Sequence, residues 1–182
     1  MKHPFRANGF SLAELALVLL MATTLMVAAV PALQAYAGHL RLDVAAQGLA
    51  VEMMKIRYLA VIKSCRYRLR FDLGRECYRD EEDLNQNQTL DPGEAVSAPF
   101  PLPAGVHFSS RGVLGPPSQP TTPPASPVTF TNGVMSVGPD GRWSNPGTVY
   151  LGNDTEEHTA ISVAFSGRVR IWWWNADKCR WE

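Results

Sequence analysis

Two stretches of this 182-residue chain have residue types and spacings that could do chemistry. In the first, Asp83, Asn85, Asn87, Asp91 and Glu94 set oxygen-bearing side chains at relative positions 1, 3, 5, 9 and 12, with Thr89 among them and apolar Leu90 at position 8. Hard oxygen ligands at these intervals surround a calcium ion in a twelve-residue loop. Gln88 stands where a glycine normally makes the sharp turn, and two Asn replace Asp, which lowers the charge and hence the affinity. A polar surface turn is the alternative. The second stretch is Gly167-Arg168-Val169-Arg170-Ile171-Trp172-Trp173-Trp174. Read as a strand, it puts Val169, Ile171 and Trp173 on a core face and Arg168, Arg170, Trp172 and Trp174 on the other. Cations interleaved with aromatic faces suit a nucleic-acid backbone and its bases. The same pattern also serves cation–π packing or a subunit contact.

No Ser/His/Asp or paired-carboxylate arrangement suggests catalysis, and Glu156 and Glu157 beside His158 read as a solvated turn. His3, His39, His107 and His158 have no zinc-ligand spacing with the three cysteines. The reading is a non-enzyme that requires no cofactor, with Ca²⁺ as its one candidate ion. Basic and acidic side chains balance at 17 each, so a globally basic nucleic-acid binder is not indicated.

The elements that must position these residues begin with a membrane segment. From Leu12 to Val30 the only charge is Glu14, and the only other polar side chains are Thr23 and Thr24. That length crosses a hydrocarbon core of about 30 Å at ~1.5 Å per helical residue. Lys2 and Arg6 precede it, which predicts a cytoplasmic N-terminus and an extracytoplasmic remainder. A secretory signal carries its small-residue cleavage site after the apolar run. Here the small residue, Gly9, comes before it, and a cut there keeps the helix. Cleavage would expose an α-amine on Phe10, four residues from Glu14, as a counter-charge for a costly intramembrane carboxylate.

Gly9-Phe10-Ser11-Leu12-Ala13-Glu14, followed by an apolar helix containing Pro31, resembles the class III signal of type IV pilins and pseudopilins. The resemblance implies cleavage after Gly9 by a prepilin peptidase and N-methylation of Phe10. It also implies an assembly role for Glu14 and a helix-weakening role for Pro31. Ser11 and Ala13 depart mildly from the family's usual wording. The implied partners are the peptidase, other pilins or pseudopilins and the bacterial inner membrane.

Beyond Pro31 the helical pattern continues to about Lys63. Leu40, Val44, Val51, Met54, Tyr58 and Val61 form an apolar stripe, widened by Leu49, Met53 and Ile56, and the stripe is expected to pack beneath a sheet. Arg41, Asp43, Gln47, Glu52, Lys55 and Arg57 mark the opposite side. Strand signals follow at 65–71, 76–78, 106–108, 128–130, 134–137, 148–151, 159–165 and 168–174, with turns at Pro139-Asp140-Gly141 and Ser166-Gly167. Six prolines between Gly115 and Pro127 predict an exposed loop. The expectation is an α+β, pilin-like fold, a long N-terminal helix packed against an antiparallel sheet domain. Its parts are a leader at 1–9, a membrane helix at 10–31, an amphipathic helix at 32–63 and a β-rich domain at 64–182 with loops 80–104 and 115–127. Cys65, Cys77 and Cys179 lie in that domain, where disulfides persist. Three cannot all pair internally, and which two would join stays open.

The later strands narrow the family. Val128-Thr-Phe130, Gly138-Pro-Asp-Gly-Arg142, Gly147-Thr-Val-Tyr-Leu151 and 161–170 resemble the GspH/FimT group. That implies a non-catalytic minor subunit of a type II secretion pseudopilus or a type IV pilus, at or near the fibre tip. Gly167-Arg168-Val169-Arg170 resembles the motif through which FimT-type subunits of DNA-uptake pili bind DNA. DNA or a secreted substrate is thus an additional implied partner.

Overall fold

The structure, a computed structural model, describes residues 11–117 and 122–182. Contacts divide the chain into two units, Met1–Ala37 and Gly38–Glu182, and one helix, α1 (Leu12–Lys63), belongs to both. In the first unit α1 is built from Leu, Ala, Val and Met, good or tolerable helix formers, and nearly every described side chain is exposed. Within the helix stands Pro31, whose missing N–H leaves the carbonyl of Val27 without its helical donor.

In the second unit the helix packs one face into a core shared by two antiparallel sheets. β1 (Arg66–Asp72), β2 (Cys77–Asp83), β3 (Phe100–Pro101) and β5 (Val134–Val137) form the first, in the order β3-β2-β1-β5. β4 (Val106–Phe108), β6 (Gly147–Asn153), β7 (His158–Val163), β8 (Val169–Asn175) and β9 (Arg180–Trp181) form the second, in that order. Alternation sends Tyr67, Leu69 and Phe71 of β1 inward, and Val149 and Leu151 of β6 with them. Phe71 stacks on Phe130 at 6.0 Å and meets Phe108 edge-on at 6.0 Å, which ties the two sheets across the core. The chain is α+β.

The helix seat differs from the sequence expectation. Leu42, Ala45, Ala46, Leu49, Ala50, Met53, Ile56 and Ala60 are buried, whereas Leu40, Val44, Val51, Met54, Tyr58 and Val61 are exposed. Of the expected stripe only Leu49, Met53 and Ile56, its margin, enter the core. The physical reason is size. Four alanines let the strands approach closely, and the large side chains fill the gaps between them, each worth roughly 1.5–3 kcal/mol when fully buried. The helix is therefore apolar on two faces, and bulk alone points to the wrong one. Several residues expected on the solvent side rim the seat instead: Asp43 accepts from Trp173 Nε1 at 2.9 Å, and Lys55 reaches Asp80 at 3.5 Å.

Strand boundaries shift at three places. Val128–Phe130 makes one bridge, Val128 to Val149, and then enters a 3₁₀ turn at Thr131–Gly133. β2 runs to Asp83, into the stretch expected as loop, and β3 interrupts that stretch at Phe100–Pro101. In the proline-rich segment Gly115 and Pro116 are buried, while 118–121 lie outside the described residues.

Candidate assembly helix and binding face

Gly9 and Phe10, the expected cleavage and methylation positions, lie outside the described residues. The description begins at Ser11, which caps α1 together with Glu14. The Ser11 N–H donates to Glu14 Oε2 at 2.9 Å and the Glu14 N–H donates to Ser11 Oγ at 3.2 Å. This reciprocal pair is a capping box, and it satisfies two of the donors that a helix start leaves open. Farther along, the hydroxyls of Thr23 and Thr24 donate to the carbonyls of Leu20 and Met21, each at 2.9 Å. The two hydroxyls are thus bonded within the helix, as an apolar medium demands. The helix is long and apolar enough to cross a membrane, and its most apolar window has nothing packed on it.

An exposed apolar row continues into the second unit through Leu40, Val44, Val51, Met54, Tyr58 and Val61, at steps of three, four or seven residues. Seven-residue spacing on one face is the pattern with which helices meet other helices. Sequence periodicity found this row but assigned it to the core.

At the other end of the chain, the structure brings Arg168, Arg170 and Trp172 to one groove of about 610 Å³ between β7 and β8, with Phe165, Pro146 and Ser162. Register explains the grouping, since Ser162 faces Arg170 and Ala160 faces Trp172. The Arg170 guanidinium lies over the Trp172 ring at 4.8 Å, and Trp172 Nε1 donates to Ser162 Oγ at 2.8 Å. Trp174 is not part of the groove. It packs edge-on to Trp181 at 5.1 Å in a small outer cluster with Val113, Tyr150 and Ala160. Burial in that cluster pushes the Tyr150 phenol up to about 12. Trp173, expected in the core, is 42% exposed. Its indole is long enough to reach past the core edge to Asp43 on α1. Trp181 and Phe165, the second of which is exposed at the β7–β8 turn, had no motif to announce them.

The candidate calcium loop is held together by its own bonds. Asp83, fully buried, accepts from the amides of Asn87 and Gln88 at 3.1 and 3.0 Å. Asp91 accepts from the Asn85 and Asn87 amide groups at 2.7 and 2.6 Å, Glu94 accepts from the Leu84 and Asp91 N–H groups, and Thr89 donates to Asn87 Oδ1. Gln88 takes φ +67°, the left-handed turn for which such a loop normally uses glycine. The Thr89 carbonyl is occupied by Arg68 Nη2 at 2.9 Å. Among the described residues no group of three or more His, Cys, Asp or Glu side chains is placed to share a metal ion.

Cys65, Cys77 and Cys179 are free thiols, the first two buried. Cys77 faces Asp72 at one end of the β1–β2 hairpin and Cys65 precedes Arg66 at the other. At ~3.3 Å per residue the hairpin separates them by about 20 Å, far beyond disulfide reach.

Sequence reasoning missed the ion-pair network of β2. Glu81 is fully buried and meets Arg70 at 2.7 Å, Arg79 at 3.1 Å and Arg68 at 3.4 Å. Burial pulls its pKa up, but the bonds and charge of Arg70, with Arg68 and Arg79, pull it further down, below the ordinary glutamate value. Glu82 is likewise raised by burial and lowered more by its bonds to Lys63 and Tyr67.

No family model matches the chain, and no curated protein matches it. Among solved structures, two of the minor pseudopilin EpsH from the type 2 secretion system of Vibrio cholerae resemble it. Both have a TM-score of 0.48, at 14% and 12% identity, and cover 72% of this chain and 95% of theirs. Both of these are minor pseudopilins. A likeness of this degree carries no weight for function, which has to rest on the residues.

Proposed function

We propose that this chain is a non-catalytic minor pilin or pseudopilin, cut after Gly9, methylated at Phe10 and assembled into a fibre through α1. The observation that carries the reading is the uncovered apolar helix. It starts at the Ser11–Glu14 cap, has one charge before residue 38, and continues as the exposed row Leu40 to Val61. In this reading the helix anchors the precursor in the inner membrane, N-terminus cytoplasmic, and later packs against helices of other subunits. Glu14 leaves its cap to meet the α-amine of Phe10 on a neighbour, Pro31 eases bending, and the subunit sits near the tip. The experiment is expression with a prepilin peptidase, with the mature N-terminus read by mass spectrometry. Wild type should begin at N-methylated Phe10, Gly9→Val should keep residues 1–9, and Glu14→Val should be cut but absent from sheared fibres. An unprocessed wild type would end the reading.

A second reading is favoured by the groove that joins Arg168, Arg170 and Trp172: single-stranded DNA, backbone on the two guanidinium groups and a base against the aromatic wall. Changing Arg168 and Arg170 together to Gln should then weaken binding at least tenfold and flatten its salt dependence. Equal affinity for both proteins removes DNA from the account. For loop 83–94 the reading is weak Ca²⁺ binding, supported by the left-handed turn at Gln88 and the inward carboxylate of Asp83. Millimolar Ca²⁺ should raise the melting temperature; an unchanged melt discards the ion.

A further inference from the structure

Arg68 stands on the outward face of β1 and is nonetheless 2% exposed. Its Nη2 donates to the Thr89 carbonyl and lies 3.4 Å from Glu81, but its Nε and Nη1 are buried with no hydrogen-bond partner. A buried donor without an acceptor costs about 1–3 kcal/mol, and more on a charged group, so such atoms call for a ligand. Beside Arg68 lies a groove of about 270 Å³. Gln88, Asn132, Ser136, Ser144 and Asn145 line it, with Val134 as its one apolar side chain. The lining is otherwise polar and contains no acidic side chain. Arg68, Arg70 and Arg79 all meet the carboxylate of Glu81, and the charge of Arg68 also reaches Asp91.

We propose that this groove binds a carboxylate of a polypeptide, an acidic side chain or a chain terminus, with Arg68 as the anchoring cation. A guanidinium pairs with a planar carboxylate in a charge-assisted geometry, and the amides and hydroxyls around it supply further donors. The space holds a carboxylate and a few waters, at about 30 Å³ per water, and falls below the ~300 Å³ of a drug-sized site. The site lies on the outer face of the first sheet, opposite the face that meets the helix, and its Asn145 adjoins Pro146 of the Arg168 groove. It stands whether or not the chain is a fibre subunit.

The test is NMR of the full chain, ¹⁵N-labelled at arginine, in an uncharged maltoside detergent, followed at the Arg68 Nε–H. Acetate should shift that signal saturably while chloride leaves it in place. A neutral peptide with a free C-terminus and an amidated peptide with one Asp distinguish the two sources, and a response to either supports the site. Arg68→Gln should weaken peptide binding at least tenfold, measured by the peptide's own signals. Because that variant also disturbs Glu81, Ser144→Asp serves as the second. It puts a negative charge on the exposed rim and should weaken binding comparably with the Arg68 signal intact. Three results would overturn the proposal: no saturable shift, unchanged affinity in Ser144→Asp, or a response to inorganic phosphate with none to acetate and both peptides.

Discussion

Arg57 shows how one side chain fastens the helix to both sheets. Its Nε donates to the Gly141 carbonyl at 2.8 Å and its Nη1 to the Gly167 carbonyl at 3.2 Å, so it reaches the β7–β8 turn and the turn after β5 together. Gly167 holds φ +87°, and a Cβ there would lie 2.6 Å from the Arg57 guanidinium carbon. Two costs add, the left-handed backbone and the displaced arginine. Gly167→Ala should therefore lower stability by about 2–3 kcal/mol. A thermal melt followed by near-UV circular dichroism measures it, and a change below about 0.5 kcal/mol, the scale of ordinary surface substitutions, refutes the fastening role. The turn itself was legible from Ser166-Gly167. That an arginine 110 positions earlier lies beneath it was not, since nothing local to either residue encodes the meeting.

At the scale of elements, the β1–β2 hairpin and the helix seat make opposite demands on sequence reading. β2 reads CYRDEED, too acidic to look like a central strand, and only the register that sets Arg68 against Glu81 turns those charges into pairs. Glu81 and Glu82 both have folded pKa values below the ordinary one. Their contribution is present above the unfolded glutamate value of about 4.3 and is lost as pH falls through the depressed folded values. The melting temperature should drop between about pH 5 and pH 3. Glu81→Gln should melt lower at neutral pH, where it leaves three arginines unpaired, and show a shallower acid dependence; parallel pH curves would contradict this. For the helix, Ala46→Leu should cost about 1–3 kcal/mol by overpacking the seat, while Val51→Ser on the exposed row should stay within about 0.5 kcal/mol. The reverse order in the same melts would restore the face that periodicity suggested.

For the molecule as a whole, the division at Ala37/Gly38 separates two physical regimes. The main core draws on residues from Leu42 onward, and no described residue of the first unit belongs to it. A fragment from Gly38 to Glu182 should accordingly fold alone, with a cooperative melt and the near-UV spectrum of the full chain. A broad, non-cooperative transition would show that the first helical half is needed for the fold. The fragment should also remain unassembled, because the apolar length before residue 38 is the part proposed to enter the membrane and the fibre.

Sequence alone determined the features that depend on local order. These are the apolar length broken by one carboxylate, the Gly9-Phe10 step ahead of it, the strands β1, β4, β5, β6, β7 and β8 to within a residue or two, and the alternation that groups Arg168, Arg170 and Trp172. Each follows from a period or a spacing, and periods survive without knowledge of neighbours. Tertiary structure decided what depends on which surfaces meet. It chose the alanine face of α1 over the bulkier one, drew an acidic segment into a sheet among arginines, and sent Trp174 to Trp181 instead of the Arg168 groove. It also left two donors of Arg68 buried with no acceptor of their own. Those outcomes are set by close packing and long-range pairing, for which a linear sequence carries no local sign.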